Sequence, residues 1–166
     1  MMWRFLFAVL LVVACATVAA AGPIEDAVSA YYRGDYTLAA QLSRPLAEQG
    51  QAEAQFILGG LYANGLGVLQ NDQEAVKWYH KAAGQGHALA QVLIGTFYAN
   101  GEGGVPQDLV RAHMWLNVAA AALSGDVRKK ATKNRESMAS RMTAAQIEKA
   151  QAMARRCRQS KYKECG

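Results

Sequence analysis

AQFILGGLYANG at residues 54–65 is followed by AQVLIGTFYANG at residues 90–101, so the chain nearly repeats itself after 36 residues. The opening Ala-Gln, the central glycine, the tyrosine and the closing Ala-Asn-Gly are identical in the two copies. A period of this length is typical of a solenoid, in which each unit buries its apolar face only against its neighbours. The repetition favours a binding protein over an enzyme, without indicating what is bound.

The signals around these copies predict an all-α chain. Capping patterns, glycine-rich breaks and helical periodicity divide it into eight helices, and no alternation of period two follows residue 21. Asn71 to Glu74 and Thr143 to Gln146 have the spacing of capping boxes. We predict helices over 23–33, 36–49, 52–64, 71–84, 88–100, 108–123, 127–142 and 144–156.

Many more positions in the first copy follow a fixed pattern. They are Ala54, Leu58-Gly59, Tyr62, Gly65, Gly67-Val68, Asp72, Ala75, Trp78-Tyr79, Lys81-Ala82-Ala83 and Gln85-Gly86. This pattern resembles the Sel-one-like repeat family, whose members are relatives of tetratricopeptide repeats. The second copy departs from it at Ile94 and Leu116.

The resemblance covers residues 34–156 and implies a right-handed α/α solenoid that ends in a two-helix C-terminal cap. We divide the chain into a signal segment at 1–21, a solenoid at 22–126 and a basic helical cap and tail at 127–166. Within the solenoid, a degenerate repeat at 22–51 precedes clear repeats at 52–87 and 88–126.

The resemblance also implies a function, because family members act as adaptors and scaffolds, often in exported or envelope-associated bacterial proteins. It places the binding surface on the first helix of each pair, here 52–64 and 88–100. The polar candidates for binding a protein or peptide partner are Gln55, Asn64, Gln91 and Asn100. Each has a structural alternative, since the glutamines can bond neighbouring backbone and the asparagines can cap helices.

Charge is divided unevenly along the chain. Residues 22–126 hold five Lys/Arg and ten Asp/Glu, a net of −5, whereas residues 127–166 hold twelve and three, a net of +9. The basic segment suggests an alternative function, attachment to anionic envelope lipid or polysaccharide. Its candidate residues are Arg128, Lys129, Lys130, Lys133, Arg155, Arg156 and Arg158. The basic segment contains one aromatic residue, Tyr162, which is too few for a base-stacking platform, so a nucleic-acid partner is not expected.

The N-terminus has the layout of a secretory signal peptide. Arg4 precedes an apolar run from Phe5 to Val13, and three alanines at 19–21 offer a cleavage site. We therefore expect a periplasmic or secreted protein without a transmembrane segment. Cys15 leaves a lipoprotein open as the alternative.

The two cysteines beyond this segment are Cys157 and Cys165. An even count in an exported protein suggests a disulfide, and two free thiols are the alternative.

Motifs for catalysis and cofactors are almost absent. Ser160 and Lys163 satisfy Ser-x-x-Lys, but Ser-Asp-Asn and Lys-Thr-Gly are missing, so a cell-wall or β-lactam hydrolase is only a remote alternative. The three histidines match no metal-binding spacing. We expect no catalytic residues, no metal and no cofactor.

Overall fold

The computed structural model describes residues 22–165, in which eight helices and no strands are present. The predicted all-α repeat fold is thus confirmed. The predicted signal peptide and the alternative lipidation site Cys15 lie outside the described residues. The helices are α1 (Pro23–Tyr32), α2 (Tyr36–Glu48), α3 (Ala52–Asn64), α4 (Asp72–Ala83), α5 (Ala88–Asn100), α6 (Leu109–Ala122), α7 (Gly125–Ala139) and α8 (Ala144–Gln159).

Caps and glycines set most helix ends. The side chains of Asn71 and Asp108 accept hydrogen bonds from backbone N–H groups three residues later, which satisfies a free donor at the start of α4 and of α6. Gly65 and Gly101 end α3 and α5 with φ of 63° and 73°, a left-handed conformation that glycine adopts without strain. The copies at 54–65 and 90–101 therefore end in the same way.

The two predicted capping boxes form to different extents. The box at Thr143 is complete, with its hydroxyl accepting from the Gln146 N–H and the Gln146 side chain accepting from the Thr143 N–H. At Asn71 only half of the box forms, because the Glu74 carboxylate accepts from Lys77 instead. Helix α7 ends at Ala139, three residues before the predicted end, since a turn precedes the Thr143 cap.

Consecutive helices pack on one another from α1 to α6, and α1 also contacts α3. Glycine permits the closest approaches. A Cβ added at Gly59 would lie 2.8 Å from the ring of Tyr79, and one at Gly95 would lie 3.1 Å from Leu116. Large side chains fill the remaining space, and Trp115 is 1% exposed. Small residues thus let the helices approach, while aromatic residues fill the core.

Helices α7 and α8 both pack on α6 and close the end of the solenoid. Ala150, Ala154 and Cys157 of α8 join the core formed by the two repeats. Cys157 is bonded to Cys165, with Cα atoms 4.5 Å apart, so the suggested disulfide is present and the free-thiol alternative is not. The loop that this bond closes brings the Tyr162 ring against Gly86, in the turn between α4 and α5. The tail is thereby fixed to the repeats.

Candidate functional site

A concave groove crosses the first helix of three successive helix pairs, α1, α3 and α5. It consists of two cavities of about 280 and 240 Å³ that share Asn64, Tyr79 and Leu93. The groove therefore extends from α1 over α3 to α5, with Tyr79 of α4 in its floor. The side chains that give it its shape are Val28, Tyr31, Tyr32, Phe56, Leu93 and Phe97.

The groove is mainly aromatic and aliphatic. The ring centroid of Tyr79 lies 5.9 Å from that of Phe56 and 6.1 Å from that of Phe97, so the three rings form a continuous row. At the α1 end, Tyr32 is 84% exposed although it is a large aromatic residue. Phe56, Leu93 and Phe97 remain partly exposed beside it, whereas Tyr79 is 4% exposed and forms the floor. Apolar side chains gathered in a concave surface of this kind are typical of binding sites.

Tyr79 also brings a polar group to the floor. Burial, and to a lesser degree the neighbouring Tyr31, raises the pKa of its hydroxyl to about 12. The hydroxyl is therefore protonated at neutral pH and can donate a hydrogen bond into the groove. A donor beneath an apolar surface suits a backbone carbonyl with hydrophobic side chains on either side.

Negative charge lies at the edge of the groove. The Glu53 carboxylate lies 3.1 Å from His87 Nε2, while His87 Nδ1 accepts from the Ala90 N–H and so caps α5. The His87 ring stacks on Phe56 with centroids 4.4 Å apart. Because Nδ1 accepts, the ring proton is on Nε2 and is donated to Glu53. Phe56 and Glu53 are thus held in place by the same imidazole, and Glu102 adds a second carboxylate near Phe97.

The predicted groove residues Gln55 and Gln91 are not in the groove. They are 3% and 0% exposed, and their amides donate to the carbonyls of Ala47 and Ala83, at 3.0 and 3.1 Å. Each glutamine therefore ties its helix to the end of the preceding helix. The backbone-bonding alternative is the one that the structure shows, and neither glutamine lines the two cavities.

The two asparagines differ from each other. Asn64 is exposed, lines both cavities and donates from its side chain to the Gly60 carbonyl at 2.8 Å. Its carboxamide oxygen makes no hydrogen bond within residues 22–165, which leaves it available to a ligand. Asn100 is also exposed but is not among the residues that line the two cavities. Of the four predicted groove residues, only Asn64 lies on the groove.

The aromatic residues that line the groove were not predicted from the sequence, because the predicted binding residues were all polar. A usable signal was present, since α3 and α5 carry apolar residues on every side. A helix with this pattern has apolar surface left over after one face has packed against its neighbours. Phe56 and Leu93 are such residues, and both remain only partly buried.

The predicted anion-binding residues divide into two groups. Arg128 and Arg158 line one cavity of about 340 Å³ with Arg135, which was not predicted. The other predicted cations are exposed and lie elsewhere on α7 and α8, and Lys129 pairs with Asp126 at 2.9 Å. The basic helices therefore carry one cleft lined by three arginines and a wider exposed charged surface.

Two further residues considered for chemistry, Ser160 and His113, lie among structural contacts. The Ser160 hydroxyl donates to the Cys157 carbonyl and accepts from the Glu164 N–H, so it caps the end of α8. His113 is buried, and desolvation together with Arg135 lowers its pKa below the usual range. Across residues 22–165, no group of His, Cys, Asp and Glu could hold a metal ion, and no helix is long and apolar enough to span a bilayer.

Comparison with known protein families identifies two repeats. The model of the Sel1 repeat matches residues 52–87 and 88–122. No curated protein matches the sequence.

Two solved structures share the fold. A protective antigen present in uropathogenic Escherichia coli strains, which displays an SLR fold, is 30% identical, covers 86% of this chain and has a TM-score of 0.71. A Sel1 repeat protein from Oxalobacter formigenes is 34% identical, covers 66% of this chain and has a TM-score of 0.58. This chain spans 30% and 44% of the lengths of those two chains.

Proposed function

We propose that this chain, a Sel1 repeat protein with the SLR fold, is a non-catalytic adaptor that holds a peptide segment of another protein in its concave groove. Sel1 repeat proteins are generally protein-interaction scaffolds. The observation that carries the proposal is the continuous aromatic row of Phe56, Tyr79 and Phe97, which faces an open groove across three helix pairs.

The groove favours a short extended segment. Adjacent first helices lie about 10 Å apart in packed helix pairs, so three of them span roughly 20 Å. An extended chain covers this distance with about six residues. The side chains best suited to the floor are aliphatic or aromatic, while Glu53 and Glu102 favour a Lys or Arg at the edges. A groove of this length is expected to bind in the micromolar range.

A peptide library displayed on phage tests this directly. Selection on residues 22–166 should enrich peptides that combine apolar side chains with Lys or Arg, and the best sequence is then synthesised and titrated by calorimetry. Binding should largely persist at about 0.5 M NaCl, because the apolar contact is not screened by salt. Failure to enrich any such sequence would count against a peptide-binding groove.

Gly60→Leu provides a variant that fills the groove without disturbing the core. A Cβ at Gly60 would lie 3.5 Å from the Tyr79 hydroxyl, an ordinary contact, and the position is only partly buried. Replacing glycine within a helix also favours folding by up to about 1 kcal/mol. We expect an unchanged or raised melting temperature and at least about tenfold weaker peptide binding, equivalent to 1.4 kcal/mol.

Ala145→Leu is the matched control, since it adds the same side chain at an exposed position on α8. It should leave peptide affinity unchanged. Equal affinity of the Gly60→Leu and Ala145→Leu variants would show that the peptide binds elsewhere and would refute the groove as the site.

We also propose that the protein acts in the bacterial cell envelope. The apolar run from Phe5 to Val13 supports export, and the Cys157–Cys165 bond suits an oxidising compartment. Mass spectrometry of the protein from its native host tests this. A chain that begins at Gly22 supports cleavage, a lipidated Cys15 supports the lipoprotein alternative, and an intact N-terminus in the cytoplasm refutes export.

Attachment through the basic helices is the second candidate. It is favoured by the exposure of Lys130, Lys133, Arg155 and Arg156, none of which forms an ion pair within residues 22–165. Salt separates the two functions, since attachment to anionic envelope material should be lost at about 0.5 M NaCl while groove binding persists.

A further inference from the structure

A cleft on the cap gathers three arginines around neutral hydrogen-bonding groups. We call it the arginine cleft; its volume is about 340 Å³, and it is lined by Arg128, Thr132 and Arg135 of α7, Arg158 of α8 and Asn117 of α6, beside two alanines. Positions 128, 132 and 135 are spaced by four and three residues, so they share one face of α7. This face is turned toward the end of α6, and the tail of α8 closes the other side.

The charge in the cleft is poorly balanced by the protein. No carboxylate is among the described residues that line it, and Arg128 and Arg158 form no ion pair within residues 22–165. The Arg135 guanidinium lies 3.9 Å from Glu136, whose side chain is 68% exposed, and such a surface pair contributes little. Three like charges in one cleft repel one another, and a bound anion would relieve this repulsion.

Helix dipoles do not cancel this charge. The last turn of α6 brings partial negative charge toward the cleft, equivalent to about half an elementary charge. The three guanidinium groups carry three full positive charges, and Arg128 is in the first turn of α7, where the dipole adds positive potential. The arginines therefore dominate the field in the cleft.

We infer that the arginine cleft binds a phosphate group. A phosphate monoester has three terminal oxygens and a charge of about −2 near neutral pH. Each guanidinium presents a planar pair of N–H donors that matches two oxygens, and the Thr132 hydroxyl and Asn117 amide can add further bonds. A carboxylate has only two oxygens and one charge, so it uses this set of donors less fully. The volume leaves room for the group to which the phosphate is attached.

This inference goes beyond the groove and does not depend on it. The phosphate monoester can belong to a soluble molecule or to a lipid with a monoester head group, and the same chemistry recognises both. The two sources are separated by the probes used below.

The main test compares two triple variants that lose the same charge. Arg128→Gln/Arg135→Gln/Arg158→Gln empties the cleft of charge, whereas Lys130→Gln/Lys133→Gln/Arg155→Gln removes three exposed cations outside it. Binding of inorganic phosphate and of glycerol phosphate is titrated at constant ionic strength of about 0.15 M, so that screening is the same throughout. Acetate and sulfate serve as competing anions.

We expect saturable binding of phosphate that the cleft variant weakens at least tenfold and the control variant weakens less than threefold. Equal loss in both variants would show diffuse attraction and overturn the inference. Acetate that binds as tightly as phosphate would also overturn it. If the cleft variant unfolds, Arg158→Gln is compared with Arg155→Gln, which are single changes on exposed parts of the same helix.

Vesicles test the lipid source. If inorganic phosphate and glycerol phosphate do not bind but phosphatidic acid vesicles do, with loss confined to the cleft variant, the phosphate is that of a lipid head group. If no probe binds in a way that depends on the cleft, the inference fails. The groove experiment is unaffected in either case, because its variants lie on α3 and α8, outside the cleft.

Discussion

Gln55 and Gln91 occupy equivalent places in the two repeats, but their side-chain hydrogen-bonding groups are satisfied to different extents. Both amides donate to a carbonyl of the preceding helix. The Gln55 side-chain oxygen also accepts from Gln85 at 2.7 Å, whereas the Gln91 side-chain oxygen is buried and has no partner within the described chain. The same substitution, glutamine to methionine, should therefore have different effects at the two positions.

The magnitudes follow from the hydrogen bonds. Gln55→Met removes two bonds of about 1 kcal/mol each, so it should lower the free energy of unfolding by about 2 kcal/mol. Gln91→Met removes one such bond but also an unpaired acceptor whose burial costs about 1–3 kcal/mol, so its effect should lie between neutral and about 2 kcal/mol stabilising. Neither carbonyl is left unpaired, because Ala47 still accepts from Gly50 and Ala83 from Gly86.

Thermal and urea unfolding of the two variants measure the difference. A gap of about 2 kcal/mol corresponds to roughly 4–8 °C in melting temperature for a chain of this size. Gln151→Met, at an exposed position of α8, is the control and should change stability by less than about 0.5 kcal/mol. Equal destabilisation at positions 55 and 91 would refute the argument from the unpaired oxygen.

Three further predictions concern the cap, the core histidine and the turn between repeats. Reducing the disulfide opens a loop of about nine residues and should lower the free energy of unfolding by about 2.5 kcal/mol. The melting temperature should therefore fall when reductant is added, and a loss below about 1 kcal/mol would contradict this estimate. Desolvation and Arg135 lower the pKa of His113 in the folded state, so the unfolded chain binds more protons and stability should fall as pH drops through about 6.5. His113→Gln should reduce this dependence, and the remainder belongs to His80, whose pKa is lowered by burial and Arg111; an unchanged pH profile of melting temperature would exclude His113 as a source. Gly86→Ala should lower the free energy of unfolding more than Gly34→Ala. Both glycines have positive φ, but only a Cβ at position 86 would meet the Tyr162 ring, at 2.5 Å, and equal losses in urea unfolding would show that the tail does not rest on this turn.

The repeat architecture could be predicted because its determinants are local in sequence. The copies at 54–65 and 90–101, the glycines that end them and the Thr143–Gln146 box fix where helices begin and end. The matching helix pairs then have only neighbouring helices to pack against, so the order of the elements gives their arrangement. The disulfide could be predicted for a similar reason, since only two cysteines follow residue 21.

The binding surface could not be predicted in the same way. Gln55 and Phe56 are adjacent in sequence, yet one is buried under the preceding helix and the other lines the groove. On a helix that is apolar on every side, the pattern does not say which face is covered by a neighbour. Polar residues were predicted as the ligands, but the two glutamines are buried and bond backbone carbonyls instead.

The arginine cleft shows the same division between sequence and structure. Sequence alone determined that the last 40 residues are strongly basic, and the spacing of Arg128 and Arg135 places both on one face of a helix. Only the tertiary structure brought Arg158, 23 residues further along, and Asn117 of α6 to the same cleft. Repeats and caps depend on contacts between residues that are close in sequence. A site depends on which side chains, distant in sequence, remain exposed next to one another after the helices have packed.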